Sequence, residues 1–318
     1  MALPHFGQYP APRHTVAHLS DTHLLAGGAL QYGVIEPEAG LRRALERLGH
    51  LELPPQVIVV TGDLADLGEP EAYVRAKKLV ENAAAGLGAE IVWVMGNHDD
   101  RGAYAEVLFG VTGPERLAPQ DRVHVVDGLR IVSLDSTVPG HHHGELEASQ
   151  LDWLRDVLSA PAEHGTLVAM HHPPLPLPMD RISQVIELEG QAAFAEVVAG
   201  TDVRAIIAGH MHYSTASTFA GVPVYVASAS CYTMDLARED RVYSGGDGAQ
   251  AFAMVHLYDE GAGGVPGAPV VHTTVPLADA REVESATRAQ GDLLATLTID
   301  EVRAMFRPKH EGYYRTSP

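Results

Sequence analysis

Val203-Arg204-Ala205-Ile206-Ile207-Ala208-Gly209-His210-Met211-His212 is a short apolar run that stops in a glycine and two histidines. A β-branched run of that length reads as a buried strand, and its ending puts metal-capable imidazoles at the strand's carboxyl end. The same grammar recurs outward along the chain. Val16 to Leu19 is followed by Asp21-Thr22-His23, Val57 to Val60 by Gly62-Asp63, Ile91 to Met95 by Gly96-Asn97-His98-Asp99, and Thr166 to Met170 by His171-His172. Leu129 to Leu134 and Val222 to Ala227 read as further strands, with Ala253 to Tyr258 and Val270 to Val275 as later ones. Helices are expected over Gly40 to Leu48, Glu69 to Ala85, Gln150 to Leu158 and Gln191 to Val198, where apolar residues recur at three- and four-residue spacing. Strands alternating with helices predict an α/β layered sheet. In such sheets ligands bind beyond the carboxyl ends of the strands, so five segments far apart in sequence should converge on one cluster.

Composition narrows the function. With 46% hydrophobic residues the 318-residue chain can build a large core, and disordered or collagen-like classes are excluded. The 41 acidic residues against 22 basic ones give a net charge of −19, which argues against nucleic-acid polymers and anionic membrane surfaces as partners. Histidine, at 18 residues, is in excess and needs an explanation. The single cysteine, Cys231, excludes an internal disulfide and is expected to be buried and inert. Residues 1–12, broken by Pro4, Gly7, Pro10 and Pro12, read as a loose arm without a signal peptide, and no run of about 18 apolar residues occurs. A soluble, cytoplasmic protein is the expectation. Pro173 to Pro178 should form a stiff loop after the histidine pair, Gly261 to Gly267 a hairpin or linker, and Val270 to Pro276 an edge strand. Residues 278–318 read as an appendage, either mobile or peripheral, or else a partner or envelope contact.

Asp21, His23, Asp63, Asn97, His171, His210 and His212 form a mixed nitrogen and oxygen donor set suited to zinc, manganese, iron or cobalt. Seven donors exceed one ordinary site. Two metals about 3.5–4 Å apart with a bridging carboxylate absorb them, a recurrent device for phosphoester hydrolysis. Asp63 is the expected bridge because its strand is expected to be central. Singly, an Asp-x-His or a Gly-Asp after a strand means little; five such endings in order do not arise as unrelated turns. Gly62, Gly96 and Gly209 fit positions of close backbone approach.

These motifs resemble the calcineurin-like metallophosphoesterases, whose pattern is D-x-H, G-D-x-x-D, G-N-H-[DE], H and G-H-x-H. The matches are Asp21 and His23; Asp63 and Asp66; Asn97, His98 and Asp99; His171; and His210 with His212. The wording of Val92 to Asp100, Pro139 to Gly144, Ala169 to Pro174 and Ala208 to Ser214 is similar to that of bacterial class III cyclic-nucleotide phosphodiesterases, and the likeness covers roughly Thr15 to Leu277. It implies an α-β-β-α sandwich, with residues 1–277 as the catalytic domain. It also implies two transition-metal ions (manganese, iron or zinc), the first held by Asp21, His23, Asp63 and His212, the second by Asp63, Asn97, His171 and His210.

By the same resemblance a hydroxide between the metals attacks phosphorus. His98 assists at the phosphate with Asp66 as its partner; His23, Asn97, His98 and His212 bind substrate. The implied substrates are 3′,5′-cAMP or 2′,3′-cAMP, and the implied assembly is a homodimer. The rival readings are a hydrolase of glycerophosphodiesters or of phosphomonoesters, and a metal-dead scaffold. The acidic balance argues against a nuclease. His172 reads as structural, while His141, His142 and His143 could be a solvent loop, an adventitious binder or, as favoured, a cleft wall. Tyr213 or Tyr232 could line the pocket, and His50, His164 and His310 are simplest as surface residues.

Overall fold

The computed structural model describes residues 7–177, 183–279, 281–283 and 285–306. Residues 1–6 of the expected N-terminal arm, Pro178 of the proline tract, and His310 lie outside the described residues. The chain divides into two compact units, Met1–Ala278 and Asp279–Pro318.

In the first unit the apolar runs become strands because both of their faces are buried. In β1 (His14–Leu19), Val16 faces one apolar cluster while Ala17 and Leu19 face another. β2 (Val57–Thr61) repeats this alternation, with Val57 and Val59 on one side and Ile58 and Val60 on the other. β3 is Glu90–Val94, β4 Arg122–Val126, β5 Leu129–Leu134, β6 Thr166–Met170, β7 Val203–Ala208, β8 Thr215–Phe219 and β9 Val222–Val226. β10 (Thr233–Asp235) and β11 (Ser244–Gly246) form a small hairpin, and β12 (Ala251–Leu257) and β13 (Val270–Pro276) a longer one. Helices α1 (Pro37–Leu48), α2 (Pro70–Leu87), α3 (Arg101–Phe109), α4 (Ala148–Leu158), α5 (Ser183–Ile186) and α6 (Gln191–Val198) fill the connections.

Two large sheets result, ordered β13-β12-β1-β2-β3 and β4-β5-β6-β7-β9-β8. Strands β1, β2 and β3 run parallel, as do β5, β6, β7 and β9; antiparallel strands occupy the flanks. The sheets face each other through Val16, Val59, Val92, Ile131, Ala169 and Ile207. α1, α2 and α3 cover the outer face of the first sheet, and α4 and α6 that of the second. The expected α-β-β-α sandwich is therefore present, and the carboxyl ends of its parallel strands meet at one edge.

The edge strand β13 appears as expected. β4 and β8 carry no sequence expectation because they expose alternate residues at the flanks and lack a continuous apolar run. In the second unit, α7 (Arg288–Leu294) and α8 (Ile299–Met305) each open with a capping box, Thr287 with Gln290 and Thr298 with Glu301.

At the end of the second sheet away from those carboxyl termini, Arg130 ties four segments together. It donates from Nε to Thr166 Oγ1 (2.8 Å), from Nη1 to the carbonyls of Val157 (2.6 Å) and Ala160 (3.0 Å), and from Nη2 to Asp202 Oδ1 (2.9 Å). Both ends of this ion pair are mostly buried, at 11% and 12% side-chain exposure, so deleting one partner strands the other. Arg130→Ala should lower unfolding free energy by about 3 kcal/mol in chemical denaturation. Its metal content should be unchanged, because the pair lies at the far end of the sheet.

Candidate metal centre

The loops after β1, β2, β3, β6 and β7 deliver the polar cluster. Five of its non-glycine residues sit in the left-handed backbone region: Asp21 (φ 52°), His23 (46°), Asp63 (49°), His210 (73°) and His212 (54°). Each such residue costs on the order of 1–3 kcal/mol and persists only where its surroundings impose it. Here the imposition is visible. Asp21 N–H donates to the Gly62 carbonyl (3.1 Å), His23 N–H to the Asp63 carbonyl (2.8 Å), and His210 N–H to Asp21 Oδ2 (3.0 Å). Asp99, buried, accepts from the N–H groups of Leu64, Ala65 and Gly96 and so clamps the β2 loop to the β3 loop.

Within this frame the donors converge in two groups that share Asp63. In the first, His23 Nε2 lies 3.1 Å from His212 Nε2 and 3.3 Å from Asp63 Oδ2, and His212 Nε2 lies 3.4 Å from Asp21 Oδ1. In the second, His171 Nε2 lies 3.4 Å from the same Asp63 oxygen, 3.0 Å from Asn97 Oδ1 and 3.2 Å from His210 Nδ1. All seven candidate donors named from the sequence are thus brought together.

Whether they fit metals is decided by the other nitrogen of each ring. His171 Nδ1–H donates to the Thr61 carbonyl (2.7 Å), His212 Nδ1–H to the Tyr232 carbonyl (2.9 Å) and His210 Nε2–H to the Ile186 carbonyl (2.8 Å). A carbonyl only accepts, so these bonds fix the tautomers and turn the lone pairs inward. His23 is held likewise, Nδ1 on Asp66 Oδ1 at 2.8 Å. In each group two ring nitrogens therefore face each other across about 3 Å beside carboxylate oxygens, and once deprotonated both would offer lone pairs to a cation held there. The donor set fits two metal ions with Asp63 between them.

Electrostatics agree. Burial disfavours charge throughout the cluster, yet His171 and His23 outweigh it and hold Asp63 well below the usual carboxylate range. Burial would likewise depress the imidazoles, but Asp63 raises His171 to about 9 and Asp21 raises His212 to about 10. Burial and His171 push His210 down to about 3. The carboxylates thus retain positive charge in the cluster, and metal uptake displaces protons.

Around the centre lies a cleft of about 160 Å³, lined among others by Asn97, His98, His142, Tyr232, Met234 and Tyr243. His98 is 30% exposed; its N–H donates to Asp63 Oδ1 (2.8 Å) and its Nδ1–H to the Asp66 carbonyl (2.8 Å), leaving Nε2 as its other nitrogen. Asp66 stands beside His98 as expected, but its main chain makes the shorter contact. The Asp66 carboxylate serves His23 and Gln31, both at 2.8 Å, and stands 3.7 Å from His98 Nδ1; the main chain of Asp66 holds that ring.

His142 reaches the cleft, with Nδ1 3.1 Å from Asn97 Nδ2, whereas His141 and His143 pack against one another. His172 is buried and occupied by Ser136 and the His142 carbonyl, as its structural reading required. Cys231 is buried and free, and Tyr213 is half-buried against the second sheet's core. His164 departs from its surface reading, since its Nδ1 lies 2.8 Å from His14 Nε2. Sequence reasoning missed Met234, Tyr243 and the Ile186 carbonyl, which carry no polar motif and reach the cleft only through loop geometry.

A family model described as calcineurin-like phosphoesterase matches residues 14–214, which hold every donor named above. The chain belongs to that family. This calcineurin-like phosphoesterase is 50% identical over 270 residues to the "cAMP/cGMP dual specificity phosphodiesterase" of Mycobacterium tuberculosis, covering 85% of this chain and 81% of that one. It is 47% identical to the "Probable cyclic nucleotide phosphodiesterase" of Rhodococcus erythropolis over 85% of this chain and 86% of that one. A solved dimetal phosphatase from Danio rerio shares the fold, with a TM-score of 0.56 and 17% identity over 84% of this chain and 100% of that one.

The centre tolerates no added bulk behind Asp63. A Cβ on Gly96 would stand 2.2 Å from Asp63 N and 2.3 Å from Asp63 Oδ1. Gly96→Ala should therefore displace the shared carboxylate, lowering the melting temperature and reducing bound metal in elemental analysis; undiminished metal content would show that the loop yields without moving Asp63.

Proposed function

We propose that the protein hydrolyses one phosphodiester bond of small cyclic nucleotides, 3′,5′-cAMP and cGMP foremost and 2′,3′-cAMP included, at a binuclear metal centre. The observation that carries this reading is the complete seven-donor cluster with inward lone pairs beside a small cleft. The names of the two bacterial relatives support the substrate class. Asp21, His23, Asp63 and His212 would hold one ion, and Asp63, Asn97, His171 and His210 the other. Manganese, iron and zinc all suit these donors. When bound, such ions supply Lewis acidity at the phosphate and a nucleophilic water at neutral pH.

The chain's own groups do the rest. His98, fixed through Nδ1–H on the Asp66 carbonyl, directs Nε2 at the phosphate and, as the doubly protonated imidazolium, gives the Nε2 proton to the leaving sugar oxygen as the phosphorus to oxygen bond breaks, ending as the neutral Nδ1–H tautomer. Asn97 and His142, 3.1 Å apart, border the same space and orient the phosphate. His23 and His212 face the substrate as well as the ion. Residues 1–277 are assigned the catalytic role and 278–318 a peripheral one. A cytoplasmic homodimer completes the reading, and among the described residues no helix is long and apolar enough to cross a membrane.

A panel of 3′,5′-cAMP, cGMP, 2′,3′-cAMP, bis(4-nitrophenyl) phosphate and 4-nitrophenyl phosphate, assayed with manganese, iron or zinc, tests the assignment. Cyclic nucleotides should be turned over; activity confined to the monoester would sink the phosphodiesterase reading. His98→Ala should keep both metals by elemental analysis and lose about 10²–10⁴-fold in kcat, whereas parallel loss of metal would make the ring structural.

A further inference from the structure

Beside the metal cleft lies a second cavity of about 460 Å³ whose walls include Tyr32, Tyr232, Met234, Tyr243 and Asp247. Tyr232, Met234 and Tyr243 border both spaces, so the two adjoin. The Tyr232 ring stands 4.3 Å from that of His212 on one side and 5.5 Å from that of Tyr32 on the other. An occupant of this cavity is therefore one aromatic ring removed from the metal ligands. Tyr32 and Tyr243 are 72% and 45% exposed, a large aromatic surface left to water at one place. The β10-β11 hairpin keeps one wall thin, because Gly245 and Gly246 stand opposite Met234 and Thr233, and a Cβ on Gly245 would come within 3.2 Å of the Tyr232 ring.

We propose that this cavity is the base pocket of the enzyme and that Asp247 makes it prefer guanine over adenine; the proposal rests on the cyclic-nucleotide reading above. Tyrosine faces stack on any base, giving affinity without discrimination. Discrimination comes from Asp247. Its Oδ1 accepts from Gln250 Nε2 at 2.7 Å, and Gln250 in turn donates to the Cys231 carbonyl at 3.0 Å, which anchors the carboxylate to the strand-end loop that carries Tyr232. A carboxylate only accepts. Guanine offers adjacent N1–H and N2–H donors to it, while adenine offers the N6–H donor beside an N1 lone pair that repels it. The polymer-rejecting acidity of the chain and an acidic base pocket are compatible, because the phosphate is held at the metals and the base is neutral.

Asp247→Asn preserves the Gln250 bond through its amide oxygen and presents an acceptor and a donor side by side, the pattern that matches adenine. The test uses the full-length, metal-loaded protein with cGMP, cAMP and bis(4-nitrophenyl) phosphate, plus guanosine and adenosine binding followed by NMR on the metal-free protein. For Asp247→Asn the ratio of kcat/KM for cGMP to that for cAMP should fall about tenfold or more, and guanosine binding should weaken against adenosine in the same sense. For Tyr32→Ala both cyclic nucleotides should lose about tenfold relative to the base-free diester. A wild type that turns over both cyclic nucleotides, with ratios in both variants within twofold of its own, would overturn the base pocket alone. A wild type that cleaves only the base-free diester would overturn the cyclic-nucleotide reading, and the pocket assignment with it.

Discussion

The structure depends on a buried carboxylate that cannot be left alone. Asp63 is 2% exposed and sits between His23 Nε2 at 3.3 Å and His171 Nε2 at 3.4 Å, while the His98 N–H bonds its other oxygen at 2.8 Å. An isolated carboxylate at that depth would cost several kcal/mol and would protonate instead. Its charge survives because imidazoles from two different sheets close on it, which requires the ends of β1, β2, β6 and β7 to stand at matching height. The parallel registers supply this, Leu19 opposite Val60 in one sheet and Ala169 opposite Ile207 in the other. The sandwich is thus a device for bringing two strand-end edges to one anion.

That arrangement is paid for in backbone strain. Five left-handed non-glycine residues within one cluster would together cost several kcal/mol. The offset lies in hydrogen bonds that link the loops to one another, such as Gly209 N–H to the His171 carbonyl at 3.1 Å and His210 N–H to Asp21. Gly209 itself cannot be anything larger, since a Cβ there would overlap Ser20 Oγ at 1.8 Å. The same tight loops aim the rings, so strain and ligand geometry have one origin. The charge also resolves locally. Two divalent ions against the carboxylates of Asp21 and Asp63 would leave a surplus of about two positive charges, enough to draw in a small anion while a chain of net charge −19 repels long ones.

Much of this was legible in the sequence because buried parallel strands are apolar on both faces and their endings are not. β5, β6 and β7 coincide with their apolar runs, and the donors follow immediately after β1, β2, β3, β6 and β7. Of the strands that were not legible, β4 and β8 are half-exposed and β10 and β11 are only three residues long, while α3 has only nine residues with little amphipathic contrast. At the site, residue identity was readable where atom identity was not. Asp66 stands beside His98 as its motif implied, but whether a side chain or a carbonyl makes the bond depends on loop torsions that no spacing encodes. The Thr61, Ile186 and Tyr232 carbonyls that set the tautomers are invisible for the same reason, since every residue has a carbonyl.

On the readings proposed above, chemistry and selectivity are separated along the chain. Every candidate metal donor falls between Asp21 and His212, inside the stretch shared with the family, whereas Met234, Tyr243 and Asp247 lie beyond it. The separation follows from what each task demands. Donors must hold positions to within tenths of an ångström, and strand ends in a doubly covered sheet provide that rigidity. A base pocket needs only a flat apolar wall and one or two polar groups at the right height, which a two-stranded hairpin of three-residue strands can supply. Because the Tyr232 carbonyl accepts from His212 Nδ1–H while its ring borders the adjoining cavity, the root of the hairpin is anchored to the candidate metal centre. On the same proposed readings, a substitution at Asp247, just past that root, would redirect which molecule is held while leaving the candidate metal donors in place.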